Sequence, residues 1–293
     1  MPQIIPNDWT SPQFIEAAYS VALLGLGTIS IIYLLLQRQR WRGLPPPGAR
    51  VWQIGWLDMG ILFCLLFMWS VLVGSITMHI MPAADGADEP LRVWRAALDG
   101  FLLQIGIAVI FIFFWIAQPF QNRLSFNSAR MESGPAFRKA LLFFLAFTPL
   151  RFLLEAAWLG LIGQLGKLGI EVPLDEQSAV GLFDGRTPPL AFAAMLLLAA
   201  LIAPVVEELV FRAGLYRFLK GRMRQNTAII ISAALFATLH ANVMAFPTLM
   251  FLGVALCVAY ESTGNIKVPM FFHAIFNVNS IFLIVLQSLH GKV

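Results

Sequence analysis

Charged residues are scarce in this sequence, and that scarcity excludes a soluble globular domain. Asp, Glu, Lys and Arg together make up 12% of the 293 residues, while hydrophobic residues make up 59%. Soluble domains carry charge on about a quarter of their residues. The composition therefore indicates a polytopic membrane protein.

Cysteine is also rare, with only Cys64 and Cys257 in the whole chain. Both lie within apolar runs and neither belongs to a CxxC pair, which excludes a disulfide framework and a thiolate metal site. The sequence also has no internal repeat and no low-complexity tract. It therefore predicts one integral membrane domain over residues 1–293.

Apolar runs of about 20 residues, the length that a helix needs to cross a bilayer, recur along the chain. They predict an all-α membrane bundle with about eight transmembrane helices, of which the seventh is the shortest. The predicted spans are Phe14–Leu36, Trp56–Ile80, Phe101–Phe120, Leu141–Gln164, Leu190–Leu209, Thr227–Val243, Pro247–Tyr260 and Val268–Leu289.

Basic residues concentrate in alternate loops, which is typical of loops that stay on the cytoplasmic side. Both termini are then expected outside, and the loop Arg212–Arg224 is expected in the cytoplasm. The net charge of +4 is explained by loops that face anionic lipid, so it indicates the bilayer as a partner and no nucleic acid. The basic residues of the first, third and fifth loops are Arg38, Arg40, Arg42, Arg50, Arg123, Arg130, Arg138, Lys139, Arg212, Arg217, Lys220, Arg222 and Arg224.

Polar residues at membrane depth are rare in membrane proteins and usually face the bundle interior or a watery cavity. They are therefore the candidates for function. In this chain they are Asp58, Arg151, Glu155, Glu207, Glu208, His240, His273, Asn277 and Asn279.

Helical spacing separates the two adjacent acids, because neighbours on a helix diverge by about 100° while residues four apart share a face. Glu208 can pair with Arg212, just outside the membrane boundary, and Glu207 then points elsewhere, toward a cavity. His273 and Asn277 are also four apart and project together. With His240 on the sixth span, three helices supply a carboxylate, two imidazoles and an amide, which is a hydrolytic set.

Arg151 and Glu155 are four apart as well, on the fourth span. Mutual neutralisation is the simpler interpretation of this pair. A contact with a substrate tail or the docking of a neighbouring helix stays open as an alternative.

Three motifs in order make the chain similar to the CAAX prenyl protease family, whose prokaryotic branch is the CAAX protease and bacteriocin-processing (Abi) family. They are EExxxR at Glu207–Arg212, FxxxH at Phe236–His240 and HxxxN at His273–Asn277. The resemblance covers residues 190–293. It implies an intramembrane endopeptidase with a cavity open toward the cytoplasm, acting on a membrane-associated or lipidated peptide substrate in the plasma membrane of a prokaryote.

The resemblance also assigns roles. Glu207 is implied as the general base, with His240 holding the attacking water. His273 and Asn277 are implied to stabilise the oxyanion. Glu208 and Arg212 are implied to orient the helix that carries Glu207.

Zinc remains an alternative in this assignment. Glu207, His240 and His273 resemble the His₂Glu ligand set of catalytic zinc. The zinc-protease signature HExxH is absent, however, and a direct glutamate/histidine mechanism without metal is argued for the family too.

Two other functions stay open. A transporter could use glutamate and histidine as a proton relay, but inverted repeats with broken helices would then be expected in both halves. A non-catalytic immunity or scaffold protein would be free to lose motif residues. The polar residues cluster in the last third and no motif residue is missing, which favours the enzyme.

One geometric requirement accompanies this assignment. If the sixth span begins directly after Arg224, His240 lies about 16 residues further on, roughly 24 Å at helical rise. Glu207 and His273 are expected within two turns of the cytoplasmic end. A single site then requires the sixth helix to begin outside the membrane, to tilt or to break.

Overall fold

A computed structural model describes residues 11–40, 48–81, 89–119, 126–170 and 187–290. Arg42, Arg123 and Phe120, which the sequence places in loops or at a span end, lie outside these residues. Within them the chain forms helices and no strand. The helices are α1 Pro12–Arg40, α2 Trp56–Ile80, α3 Glu89–Ala117, α4 Ser133–Lys167, α5 Pro189–Lys220, α6 Gln225–Thr238, α7 Phe246–Thr263 and α8 Lys267–His290.

Seven of these helices are long and apolar enough to cross a membrane. The exception is α6, which has 14 residues, whereas α7 has 18 and qualifies. The prediction of an all-α polytopic bundle is confirmed. The prediction that the seventh helix is the short one is wrong, because the turn after Thr238 ends the sixth helix before His240.

The interior of the bundle is built mainly by α4 to α8. Fully buried aromatic and aliphatic side chains from these helices meet there, among them Phe236, Leu252, Leu256 and Phe272. Helix α6 packs along α7, and α4 packs against α1, α7 and α8. Many large apolar side chains of α1, α2 and α3 remain exposed, as expected where a helix faces lipid rather than protein.

Helix α5 carries both acids and is irregular on either side of them. Two π-helical segments, Leu198–Ile202 and Leu209–Tyr216, flank the α-helical turn Ala203–Glu208. Pro204 lies in that turn, where it has no N–H to donate and its ring opposes the carbonyl of the preceding turn. A wider helical register next to a proline avoids that clash, and such π segments are frequent at functional sites.

The end of α5 corrects the predicted fifth loop. The span was expected to end at Leu209, but the helix continues to Lys220. Arg212 and Arg217 are fully buried within the bundle and do not face a lipid headgroup layer. Of the predicted loop Arg212–Arg224, only the turn after Lys220 joins helices.

Helices α3 and α4 begin earlier than their apolar runs. The first turns of α3 contain Arg92, Arg95 and Asp99, which lower the local hydropathy without ending the helix. Asp99 is held by the Thr77 hydroxyl of α2, which donates to Asp99 Oδ1 at 2.9 Å. Apolar runs therefore locate the membrane-crossing part of a helix better than its ends.

Candidate active site

Adjacent acids on α5 lie in different environments. Glu207 lines a cavity and keeps 21% of its side chain exposed, whereas the Glu208 side chain is completely buried. The roughly 100° step between neighbouring helical residues produces this divergence. The structure thus separates one accessible carboxylate from one enclosed carboxylate.

Glu208 joins α5 to α8 through a single oxygen, and its partner Arg212 extends the contact to α7. Its Oε1 accepts a hydrogen bond from Arg212 Nη1 at 2.8 Å and lies 2.9 Å from His273 Nδ1 on α8. Arg212 Nη2 donates to the Gly253 carbonyl of α7 at 3.3 Å, and its guanidinium stacks over the Phe236 ring at 4.6 Å. The pairing of Glu208 with Arg212 expected from the sequence is present, and it extends to a histidine that spacing alone could not assign.

Contact with Glu208 orients the His273 ring. With Nδ1 directed at the buried carboxylate, Nε2 points toward the cavity and lies 3.8 Å from Glu207 Oε2. This separation is longer than a direct hydrogen bond. Glu208 and Arg212 therefore fix which ring nitrogen faces the cavity, as a carboxylate does for histidine in other catalytic sites.

Glu207 has one further neighbour, from α3. Gln104 Nε2 lies 3.5 Å from Glu207 Oε1. Sequence reasoning missed Gln104, although an amide inside a predicted span is itself a rare polar group that merits attention. Helix α3 thus reaches the site from outside the segment that carries the three motifs.

His240 lies in the turn that follows α6, next to Ala241, which adopts a positive φ of 48°. Its Nδ1 lies 2.8 Å from the Phe236 carbonyl, so Nε2 is the nitrogen left for the cavity. Asn277 lines the same cavity, and its Nδ2 donates to the Ala199 carbonyl at 2.7 Å. That bond uses one of the two amide N–H groups and leaves the other.

The depth requirement raised by the sequence is met differently from the expectation. Glu207 is not near the end of its helix, because α5 continues to Lys220. Since α6 starts directly after that end, at Gln225, and runs back along the bundle, its last residues reach the level of Glu207. The short α6 and its terminal turn bring His240 to the cavity.

A cavity of about 470 Å³ collects Glu207, His240, His273 and Asn277. Glu208 and Arg212 do not line it and lie behind His273. Arg151 and Glu155 do line it, with Arg151 Nε 3.3 Å from Glu155 Oε1. Glu155 also accepts a hydrogen bond from Thr248 of α7 at 3.2 Å.

The donors do not form a ready metal site. Among the described residues, no group of three or more His, Cys, Asp or Glu side chains is arranged to hold a metal ion. For the suggested set of Glu207, His240 and His273, each imidazole has its Nδ1 held by Glu208 or by the Phe236 carbonyl, so Nε2 is the nitrogen that a metal would use. The zinc expectation stays a prediction without a preassembled ligand set, so no reaction step is assigned to a metal.

Comparison with known proteins identifies the motif-bearing part of the chain. Residues 189–279 match the family described as type II CAAX prenyl endopeptidase Rce1-like. A curated protein of Bacillus subtilis (strain 168), named "Putative membrane peptidase YdiL", is 26% identical over 93 residues, which is 32% of this chain and 37% of that protein. No solved structure matches significantly.

These matches confirm the resemblance to the CAAX prenyl protease family that the three motifs indicated. The matched residues begin at the start of α5 and end within α8. Helices α1 to α4 lie outside the match. The chain spans little more than a third of the relative's length, so the activity of that protein as a whole is not carried over by the match.

Proposed function

We propose that this protein is an intramembrane endopeptidase that hydrolyses a peptide bond in a membrane-associated or lipidated substrate. The observation that carries the proposal is the separation of the two acids. Glu207 is open to a cavity that it shares with His240, His273 and Asn277, while Glu208 is sealed behind them. A match to CAAX-type endopeptidases over the same residues supports it.

In the proposed reaction Glu207 removes a proton from a water molecule in the cavity. The water oxygen attacks the carbonyl carbon of the scissile bond, and the carbonyl oxygen takes up the negative charge. Glu207 then returns the proton to the departing amine nitrogen as the C–N bond breaks. The products are one new carboxylate and one new amine, and Glu207 is regenerated.

His240 contributes its Nε2 as the group that positions the water. The second amide N–H of Asn277 is the neutral donor available to the developing oxyanion. His273 Nε2 donates there only when both ring nitrogens carry a hydrogen, because the Nδ1–H faces the Glu208 carboxylate. Glu208 positions His273 without touching the substrate, and Arg212 holds Glu208 in place through the hydrogen bond from its Nη1. By family resemblance, the membrane is the plasma membrane of a prokaryote.

The test is a comparison of peptides in membranes that contain either the wild-type protein or Glu207→Gln at equal abundance. Mass spectrometry should show intact substrates that accumulate with Glu207→Gln and terminal fragments that disappear. A non-catalytic immunity or scaffold protein would leave both peptide populations unchanged, and so would a transporter that cleaves nothing. Either of those results contradicts the proposal.

A further inference from the structure

A second pocket, of about 940 Å³, lies at the end of the bundle where α4 and α8 begin. It has no lining residue in common with the active-site cavity. Its walls come from three separate segments. The lining residues are Arg50, Asn127, Ser128, Arg130, Met131, Glu132, Asn265 and Lys267. We call it the basic pocket.

Hydrogen bonds between separate segments preform the walls of the basic pocket. The backbone N–H groups of Ser128 and Ala129 donate to the Gly264 carbonyl at 2.8 and 3.2 Å. Asn265 Nδ2 donates to the Ala129 carbonyl at 2.9 Å, and the Ile266 N–H donates to Asn127 Oδ1 at 2.8 Å. The segment before α4 is thus fixed to the turn between α7 and α8.

Positive charge is in excess around the basic pocket. Arg50, Arg130 and Lys267 line it against a single carboxylate, Glu132. Both arginines are exposed, and within the described part of the chain neither guanidinium has a hydrogen-bond or ion-pair partner. Among the same described residues, Lys267 Nζ has one partner, the Ser133 hydroxyl, to which it donates at 3.3 Å.

Two further features add to the positive potential. Buried Arg217 lies beside Arg50, donating from Nε to the Arg50 carbonyl at 2.6 Å, and its bonds go to backbone carbonyls rather than to a carboxylate. Helix α4 begins at the pocket with an N-cap residue, Glu132, that makes no side-chain capping bond. The positive end of that helix dipole therefore faces the same space.

An apolar groove runs along the same two helices, starting one helical turn beyond the basic pocket. It has a volume of about 740 Å³ and is lined by α1, α4 and α8. Phe137 and Phe271, which line it, are four residues beyond Ser133 and Lys267, so each lies one turn further on the same helical face. Their rings are in contact, with centroids 5.7 Å apart. The Phe137–Phe271 pair thus lies directly beneath the Ser133–Lys267 pair.

We propose that the basic pocket and this groove together bind one anionic glycerophospholipid. The phosphate lies among Arg50, Arg130 and Lys267, and one acyl chain extends past Phe137 and Phe271 along the groove. The pocket lies where membrane-spanning helices begin, which is the level of the headgroups, and basic pockets between such helices suit phosphate headgroups. A free phosphate would use the pocket but leave the groove unfilled.

Titrations of the purified full-length protein in non-ionic detergent test this proposal, with thermal unfolding as the readout. Phosphatidylglycerol should raise the melting temperature, whereas phosphatidylcholine with the same chains and inorganic phosphate should not. Arg130→Gln with Lys267→Gln should weaken the phosphatidylglycerol effect by roughly twenty-five-fold in apparent affinity, at about five-fold for each lost cation. Arg50→Gln alone, which leaves the Ser133 contact intact, should weaken it about five-fold.

The matched control is Arg138→Gln with Lys139→Gln. Both residues are exposed on α4 near the same end, and neither lines the pocket or the groove. This double variant removes the same amount of positive charge as the first one. It should leave the phosphatidylglycerol effect unchanged. Equal losses in both double variants would show attraction to general surface charge and overturn the site. If inorganic phosphate raised the melting temperature as much as phosphatidylglycerol does, the pocket would bind free phosphate and the lipid proposal would be wrong. If the two lipids raised the melting temperature equally, the site would not recognise the headgroup.

Discussion

Glu207 and Glu208 are adjacent in the sequence, yet Glu207 faces the cavity and Glu208 is buried behind His273. The angle between helical neighbours gives the divergence of the two acids, and the four-residue step gives the Glu208–Arg212 pair. The contact of Glu208 with His273 depends on the relative position of α5 and α8, and local sequence spacing does not predict that position. The same holds for Gln104, which reaches Glu207 from α3.

Exchanging each acid for its amide separates the two roles. Glu207→Gln should abolish proteolysis and leave the unfolding temperature nearly unchanged, since the carboxylate has no charged partner within hydrogen-bond distance among the described residues. Glu208→Gln leaves the buried Arg212 without a counter-charge, so it should lower the free energy of unfolding by roughly 3 kcal/mol as well as turnover. Thermal unfolding and a peptide-cleavage assay measure both effects.

Arg212→Gln added to Glu208→Gln provides the internal control. It removes the stranded charge, so folding should recover more than turnover does. If Glu207→Gln retains turnover while Glu208→Gln is inactive and well folded, the two roles are reversed.

Metal dependence is a separate question about the same side chains. Both imidazoles have Nδ1 held by an oxygen and Nε2 available, an arrangement that would also suit metal ligands. Because the proposed mechanism gives the activation of water to Glu207, we expect proteolysis to survive exhaustive chelation. Elemental analysis of the purified protein and activity before and after chelation are the measurements. Loss of activity that returns with zinc would restore the set of Glu207, His240 and His273 as ligands.

At the scale of single helices, sequence locates apolar cores well and ends poorly. All eight apolar runs correspond to helices, but charged residues extend α3 and α5 beyond the predicted limits. Arg212, Arg217 and Lys220 read as loop residues because unpaired charge is costly in a membrane. They are helical because Glu208, backbone carbonyls and Glu261 satisfy them. The four-residue spacing predicts the first of these partners, whereas the Arg50 carbonyl and Glu261 are distant in sequence.

Close packing of α6 on α7 depends on Gly253. A Cβ atom there would lie 2.8 Å from Ala233 Cβ and 2.9 Å from Ala233 Cα, a separation that helices reach only through small residues. Gly253→Ala should therefore lower the free energy of unfolding by about 1–3 kcal/mol. It should also reduce turnover, since α6 carries His240 at its end. Thermal unfolding and cleavage rates are the measurements.

Gly60→Ala in α2 is the matched control, because no atom lies within 4 Å of the added Cβ. Alanine at an open helical position is neutral or stabilises by about 0.5–1 kcal/mol. The packing argument fails if Gly253→Ala unfolds at the same temperature as Gly60→Ala.

At the scale of the whole molecule, the number of membrane crossings has the same parity whether α6 crosses the bilayer completely or only in part. Lys220, the last residue of α5, pairs with Glu261 near the end of α7, with Nζ 2.6 Å from Oε1. Since α6 begins just after Lys220, the α6–α7 pair starts and finishes at the same end of the bundle. It adds two crossings or none.

This pairing yields a prediction about orientation. Helices α1 to α5 and α8 contribute six crossings, so the segments before α1 and after α8 should lie on the same side of the membrane, opposite the turn between Lys220 and Gln225. With the basic end of the bundle in the cytoplasm, a reporter that is active only outside should be active when fused after Val293 and inactive when inserted in the turn at Gly221. A cytoplasm-active reporter should give the reverse pattern. If one reporter were active at both positions, α6 and α7 would not return to the same end of the bundle. The Lys220–Glu261 pair would then not lie at the membrane level where the basic pocket is proposed to meet lipid headgroups.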